Sequence, residues 1–115
     1  DSLLRDATRI AKASAVAIDI DDPLETDAFT GDVAALRPLA KFLGDFSLVR
    51  KWILSGGEDH GLLATLAVAD QHKLKGHPQA RPIGRILPAD GLEAGTVLVA
   101  GQPTNLPLGW DHFGN

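Results

Sequence analysis

Ser55-Gly56-Gly57-Glu58-Asp59 places a hydroxyl, two glycines and two carboxylates at consecutive positions. Adjacent glycines let a backbone take positive φ or approach a ligand closely, at an entropic cost other residues would avoid. Carboxylates at such a turn can accept hydrogen bonds from a bound amine or hold a cation. The same five residues also read as a helix C-cap followed by solvated acids. Asp1 stands at the start of the first periodic segment, where an aspartate either caps a helix or ligates a hard cation. Magnesium needs only one or two carboxylates when phosphate oxygens complete its shell. Trp110 follows Gly109 in an irregular tail, where an indole packs on the core or offers its face to a ligand.

Other constellations fail on spacing. A serine hydrolase built on Ser55 and His60 would need Gly-x-Ser-x-Gly, but Ser55 precedes its glycines. A phosphate-binding loop would need a lysine and a following helix, and Ser55 to Asp59 has neither. The acids from Asp21 to Asp27 lack the glycine and glutamate spacing of a helix-loop-helix calcium site and read as a solvated loop. His72 and His77 are five apart, which does not stack ligands on a helix face, so they are expected in an exposed loop.

These residues must be positioned by a chain of 115 residues, 44% hydrophobic and 23% charged, enough for one domain with a real core. A net charge of −4 with scattered Lys and Arg argues against a nucleic-acid surface. Cysteine is absent, which removes disulfides and thiolate metal sites. No apolar run is long enough to span a membrane, and no signal peptide is visible. The chain begins with Asp and contains no Met, which suggests a piece of a polypeptide that begins upstream.

In order, the pattern predicts an amphipathic helix from Ser2 to Ser14, capped by Asp1 or Ser2, and a strand from Ala15 to Ile20. A helix from Asp32 to Leu43 follows, with a kink or a second helix at Pro38. Another helix runs from Phe46 to Leu54 and ends at Gly56-Gly57. Further strands are expected at Leu62 to Val68, Pro82 to Leu87 and Thr96 to Ala100. Turn residues between the last two suit an antiparallel connection. Helices and strands in this order imply mixed α and β layers.

Three blocks carry a resemblance. Asp1-Ser2-Leu3-Leu4-Arg5-Asp6 with Ile10-Ala11 resembles the end of an Asp-x-Ser-Asp-Gly-Leu motif and the helix it opens. Trp52-Ile53-Leu54-Ser55-Gly56-Gly57-Glu58-Asp59 resembles a Leu-Ser-Gly-Gly-Glu-Asp-Tyr-Glu-Leu block. Gly109-Trp110-Asp111-His112-Phe113 resembles a C-terminal Gly-(aromatic)-Asp-His-Phe signature. Together they resemble the C-terminal half of the thiamine-monophosphate kinases, in the superfamily of aminoimidazole ribonucleotide synthetase.

The resemblance implies an α+β layered domain with a mixed sheet, partly ferredoxin-like. Residues 1–115 would be a single C-terminal domain, with the domain supplying most nucleotide and magnesium ligands lying upstream. The full-length protein would be a cytoplasmic homodimer that transfers the γ-phosphoryl group of ATP, with Mg2+, to thiamine monophosphate. By correspondence of positions, Asp1 is a magnesium ligand, Glu58 contacts the substrate and Trp110 contacts the thiamine moiety. The chain departs from the family pattern at Ser2, where a Gly is usual, and at His60-Gly61, where Tyr-Glu is usual. Another ATP-using enzyme of the superfamily with a different acceptor, or a non-catalytic small-ligand or interaction domain, are the alternatives.

Overall fold

The structure, a computed structural model, describes residues 2–56, 63–75 and 80–104. Helix α1, Leu3–Ser14, begins at Ser2, whose Oγ accepts the Arg5 backbone N–H at 3.2 Å. Asp6 in the first turn and Lys12 in the last complement the helix dipole. Leu3, Leu4, Ala7 and Ala11 form its buried stripe. Ser2 is itself buried, so it serves as the helix cap rather than as a solvated loop residue. Ser2→Ala should lower stability by about 1 kcal/mol, the usual worth of a serine cap, whereas Ser2→Asn should cost less. Urea unfolding of the two variants measures the difference.

Ala15 ends α1 in the left-handed conformation at φ 54°, and the Val16 N–H returns to the Ala11 carbonyl at 3.0 Å. This closure reverses the chain sharply. Strand β1, Ala17–Ile20, therefore starts later than the apolar run suggests, because Ala15 and Val16 form the turn. Strands β2 (Gly84–Leu87), β3 (Val97–Val99) and β4 (Gln102–Pro103) complete a sheet in the order β2-β1-β3-β4. β1 pairs parallel with β3 and antiparallel with β2, and β3 pairs antiparallel with β4. The fold is thus α+β, a layered domain with a mixed four-stranded sheet and helices.

The expected antiparallel pairing of the Pro82 to Leu87 and Thr96 to Ala100 segments is not formed. β1 lies between them, with Ile18 opposite both Ile86 and Val97. The segment between β2 and β3 carries its turns at Gly91 (φ 74°) and Gly95 (φ 92°), and it steps across β1 instead of closing a hairpin. Over residues 63–67 the expected strand is also absent, and Val68–Leu74 forms a 3₁₀ helix. Leu63 packs against the core, whereas Leu66 and Val68 are exposed, so the segment lacks the alternating buried face of a strand.

Between β1 and α3 (Ser47–Ser55) the chain makes an excursion through a 3₁₀ turn, Asp27–Phe29, and helix α2, Thr30–Leu43. α2 runs through Pro38 as one helix. Pro38 and Ala34 are both exposed, so the carbonyl that loses its N–H partner is left to water. Gly44 caps α2 at φ 75°, and Asp45 Oδ1 accepts the Ser47 N–H at 3.1 Å to start α3. The core joins Leu3, Leu4, Ala7 and Ala11 of α1 to Ile18, Ile20 and Val99 of the sheet, with Leu54 and Phe29 closing its ends. Burying each of the Leu, Ile, Val and Phe side chains among these contributes about 1.5–3 kcal/mol.

Candidate functional site

The last turn of α3 carries the first residues of the Ser-Gly-Gly-Glu-Asp block. Ser55 is buried, and its Oγ donates to the Lys51 carbonyl at 2.8 Å. A hydroxyl bonded back into its own helix is not poised as a nucleophile, in agreement with the missing elbow motif. Gly56 is extended at φ −72° and ψ 148°, and its N–H donates to the Trp52 carbonyl at 2.8 Å. A Cβ at this position would lie 2.4 Å from the Trp52 oxygen. Glycine is required here by close backbone approach, not by positive φ. The reading of Gly56 as the end of a helix therefore holds.

Gly57, Glu58 and Asp59 lie outside the described residues, as do His60, Gly61 and His77. So do Asp1 and Trp110. The three candidate site residues, Asp1, Glu58 and Trp110, are thus assigned by sequence correspondence alone. What the structure describes is the residue that follows Asp1, with Ser2 as the cap of α1, and the helix end that precedes the block of Glu58, with Gly56 closing α3. α1 and α3 pack against each other. Leu3 and Leu4 in the first turn of α1 and Leu54 in the last turn of α3 enter the same buried cluster.

A second feature lies at the C-terminal ends of the parallel strands β1 and β3. It is an open depression of ≈ 440 Å³ lined by Asp19, Asp21, Asp22, Glu25, Arg85 and Gly101 among others. Asp19 is 7% exposed, accepts the Gly101 N–H on Oδ1 at 2.8 Å, and has Oδ2 3.7 Å from the Arg85 Nε. Asp22 Oδ1 accepts the Leu24 N–H at 3.0 Å and sits 3.4 Å from the Arg50 Nε. These two carboxylates thus organise turns and hold arginines. The sequence pattern places Asp21 to Asp27 in a loop and Asp19 within a strand, and does not join them. The available signal was an acid at an interior strand position, which must find partners if buried.

Among the described residues no group of three or more His, Cys, Asp or Glu is arranged to hold a metal ion. His72 is exposed, as expected, but lies in the 3₁₀ helix rather than in a loop, with its Nδ1 3.0 Å from the Ala69 carbonyl. No helix of the described residues is long and apolar enough to cross a membrane.

Thiamine-monophosphate kinases of Mycobacterium tuberculosis strains CDC 1551 / Oshkosh and H37Rv are each 40% identical to this chain over 116 aligned residues. The alignments take in 99% of the chain. The chain resembles thiamine-monophosphate kinase from end to end. It spans 29% of the length of these curated relatives. No protein-family model matches the chain, and no solved structure does. The likeness to thiamine-monophosphate kinase takes in α1, the α3 terminus and the sheet alike, because nearly every residue lies within the alignment.

Proposed function

We propose that this chain is the C-terminal, substrate-binding domain of an ATP-dependent thiamine-monophosphate kinase. The observation that carries this reading is the 40% identity to thiamine-monophosphate kinases over 99% of the chain. The motif blocks at Asp1, Ser55 to Asp59 and Gly109 to Phe113 support it, in the order the family has them. In this reading the γ-phosphoryl group of ATP passes directly, in line, to thiamine monophosphate and yields thiamine diphosphate. Such transfer depends on positioning and charge neutralisation more than on covalent catalysis.

Two residues of this chain would face the substrate. The thiazolium ring is cationic and aromatic, so the Trp110 indole offers stacking and cation–π attraction of about 0.5–2 kcal/mol. Glu58 supplies a carboxylate as counter-charge or as acceptor for an aminopyrimidine N–H. Asp1 is proposed as one magnesium ligand. The resemblance assigns the remaining ligands and most of the nucleotide contacts to the rest of the complete protein. The complete protein is proposed to act as a cytoplasmic homodimer, with this domain packed on its own N-terminal domain.

The test is an assay of the complete protein with ATP, Mg2+ and thiamine monophosphate, resolving thiamine diphosphate by chromatography. Product is expected from the complete protein and none from the 115-residue chain alone. Absence of product from the complete protein overturns the kinase reading. Product from the isolated chain overturns the division of the site between two domains.

A further inference from the structure

The excursion between β1 and α3 is held to the rest of the molecule in an uneven way. α2 packs on α3 and on the 3₁₀ turn Asp27–Phe29 and, among the described elements, on nothing else. Ala40 is its one buried residue, while Leu39, Phe42 and Leu43 are 51%, 84% and 53% exposed. Apolar area that faces water does not hold a helix in place. Apart from Ala40, the burial that anchors α2 therefore lies at its N-terminal end, in Phe29 and the partly buried Val33.

Arg81, from the segment that leads into β2, closes over this end. Its guanidinium donates to the Ala28 carbonyl, lies 3.5 Å from Asp32 Oδ2, and sits 5.8 Å above the Phe29 ring. One side chain thus grips the 3₁₀ turn, the first turn of α2 and the buried aromatic between them. At the far end, Arg37 lies 5.4 Å above the Phe46 ring, a contact made entirely within the excursion. The same strap forms one wall of the acid-lined depression. Glu25 and Thr26 line it, and Thr26 is the cap of the 3₁₀ turn that Arg81 grips.

We propose that residues 24–46 form a strap that opens as a unit, latched shut by Arg81, and that its opening remodels the wall of the depression at the ends of β1 and β3. The strap opens at a lower free energy than the whole molecule, because among the described residues its only long-range polar tether is an exposed arginine and its hydrophobic tether is one buried aromatic, Phe29, with the small Ala28, Val33 and Ala40 beside it. Segments with few buried apolar contacts open locally in this way. A planar guanidinium can bond two acceptors and stack on a ring at once, which an ammonium cannot.

Hydrogen–deuterium exchange of the chain, read by peptide, tests this. Amides of residues 26–43 are expected to exchange faster than those of α1 and β1. Arg81→Ala should accelerate exchange in residues 26–36 by about tenfold and leave α1 unchanged, given the combined worth of an exposed ion pair, a charged hydrogen bond and a cation–π contact. Arg81→Lys should fall between the two. Equal protection of α1 and α2 in the parent chain overturns the proposal, even where Arg81→Ala does not fold. So does an Arg81→Ala effect that is absent, or that appears equally in α1 and α2.

Discussion

Gly84→Val should be the most damaging single substitution in the sheet, lowering stability by about 3 kcal/mol, at the upper end of what point changes commonly cost. Gly84 pairs with Ile20 at the end of the β1–β2 ladder. A Cβ there would stand 2.2 Å from the Asp19 carbonyl oxygen and 2.9 Å from the Ile20 Cα. Both are backbone atoms of the central strand, so neither can swing aside as a flexible side chain would. β2 is an edge strand and can retreat, but retreat costs the pairing at this end and the adjoining Asp21 N–H bond to the Ile83 carbonyl at 2.8 Å. The melting temperature should fall by roughly 12 °C, from about 4 °C per kcal/mol for a domain of this size. A fall within about 2 °C would show that β2 is not packed against β1 as described.

Asp19→Ala should cost about 2 kcal/mol, the range for a hydrogen bond to a charged group whose partner is then left behind. The carboxylate is nearly buried and joins β1 to the turn between β3 and β4 through the Gly101 N–H. Gly101 holds φ 77°, so the turn is formed by a residue suited to it but is tethered by Asp19. Asp19→Asn keeps an acceptor of the same shape and should recover more than half of the loss. The contribution of Arg85 is small, since its side chain is 73% exposed and 3.7 Å away, and Arg85→Ala should change stability by well under about 1 kcal/mol. Denaturant unfolding of the three variants separates the hydrogen bond from the ion pair.

Periodicity made the helices legible. The stripe Leu3, Leu4, Ala7, Ala11 and the cap at Ser2 are visible in the sequence because capping and burial act within one turn. The boundary at Ala15 was hidden, since a left-handed C-cap is ordinarily marked by glycine and here is taken by alanine. Pro38 pointed to a break that solvent exposure made unnecessary. Strand partners were the least legible part. Turn residues after Leu87 suggested a hairpin, but whether two strands pair or flank a third depends on which edge of β1 is open. That is set by tertiary contacts and not by local pattern. The residues 63–67 have strand composition but pair with no strand of the sheet, and the local pattern does not decide that.

The site was legible in a different way. Gly56 as a helix end follows from local chemistry, and the structure supplies the reason in the Trp52 carbonyl. Glu58, Trp110 and Asp1 were reached by resemblance and not by physics, because isolated acids and a single tryptophan have common structural roles. The Asp22–Arg50 ion pair and the Asp19–Gly101 hydrogen bond join positions far apart in the chain, and no spacing rule reveals them.

Calorimetric titration of thiamine monophosphate into the complete protein, and into its Glu58→Ala and Trp110→Ala variants, tests the central claim most directly. The parent should bind. Trp110→Ala should weaken binding by up to about thirtyfold, the equivalent of a desolvated cation–π contact of about 2 kcal/mol. Glu58→Ala should weaken it by a similar factor, with thermal unfolding of both variants unchanged. Equal affinity in all three proteins would contradict the assignment of Glu58 and Trp110 to the substrate.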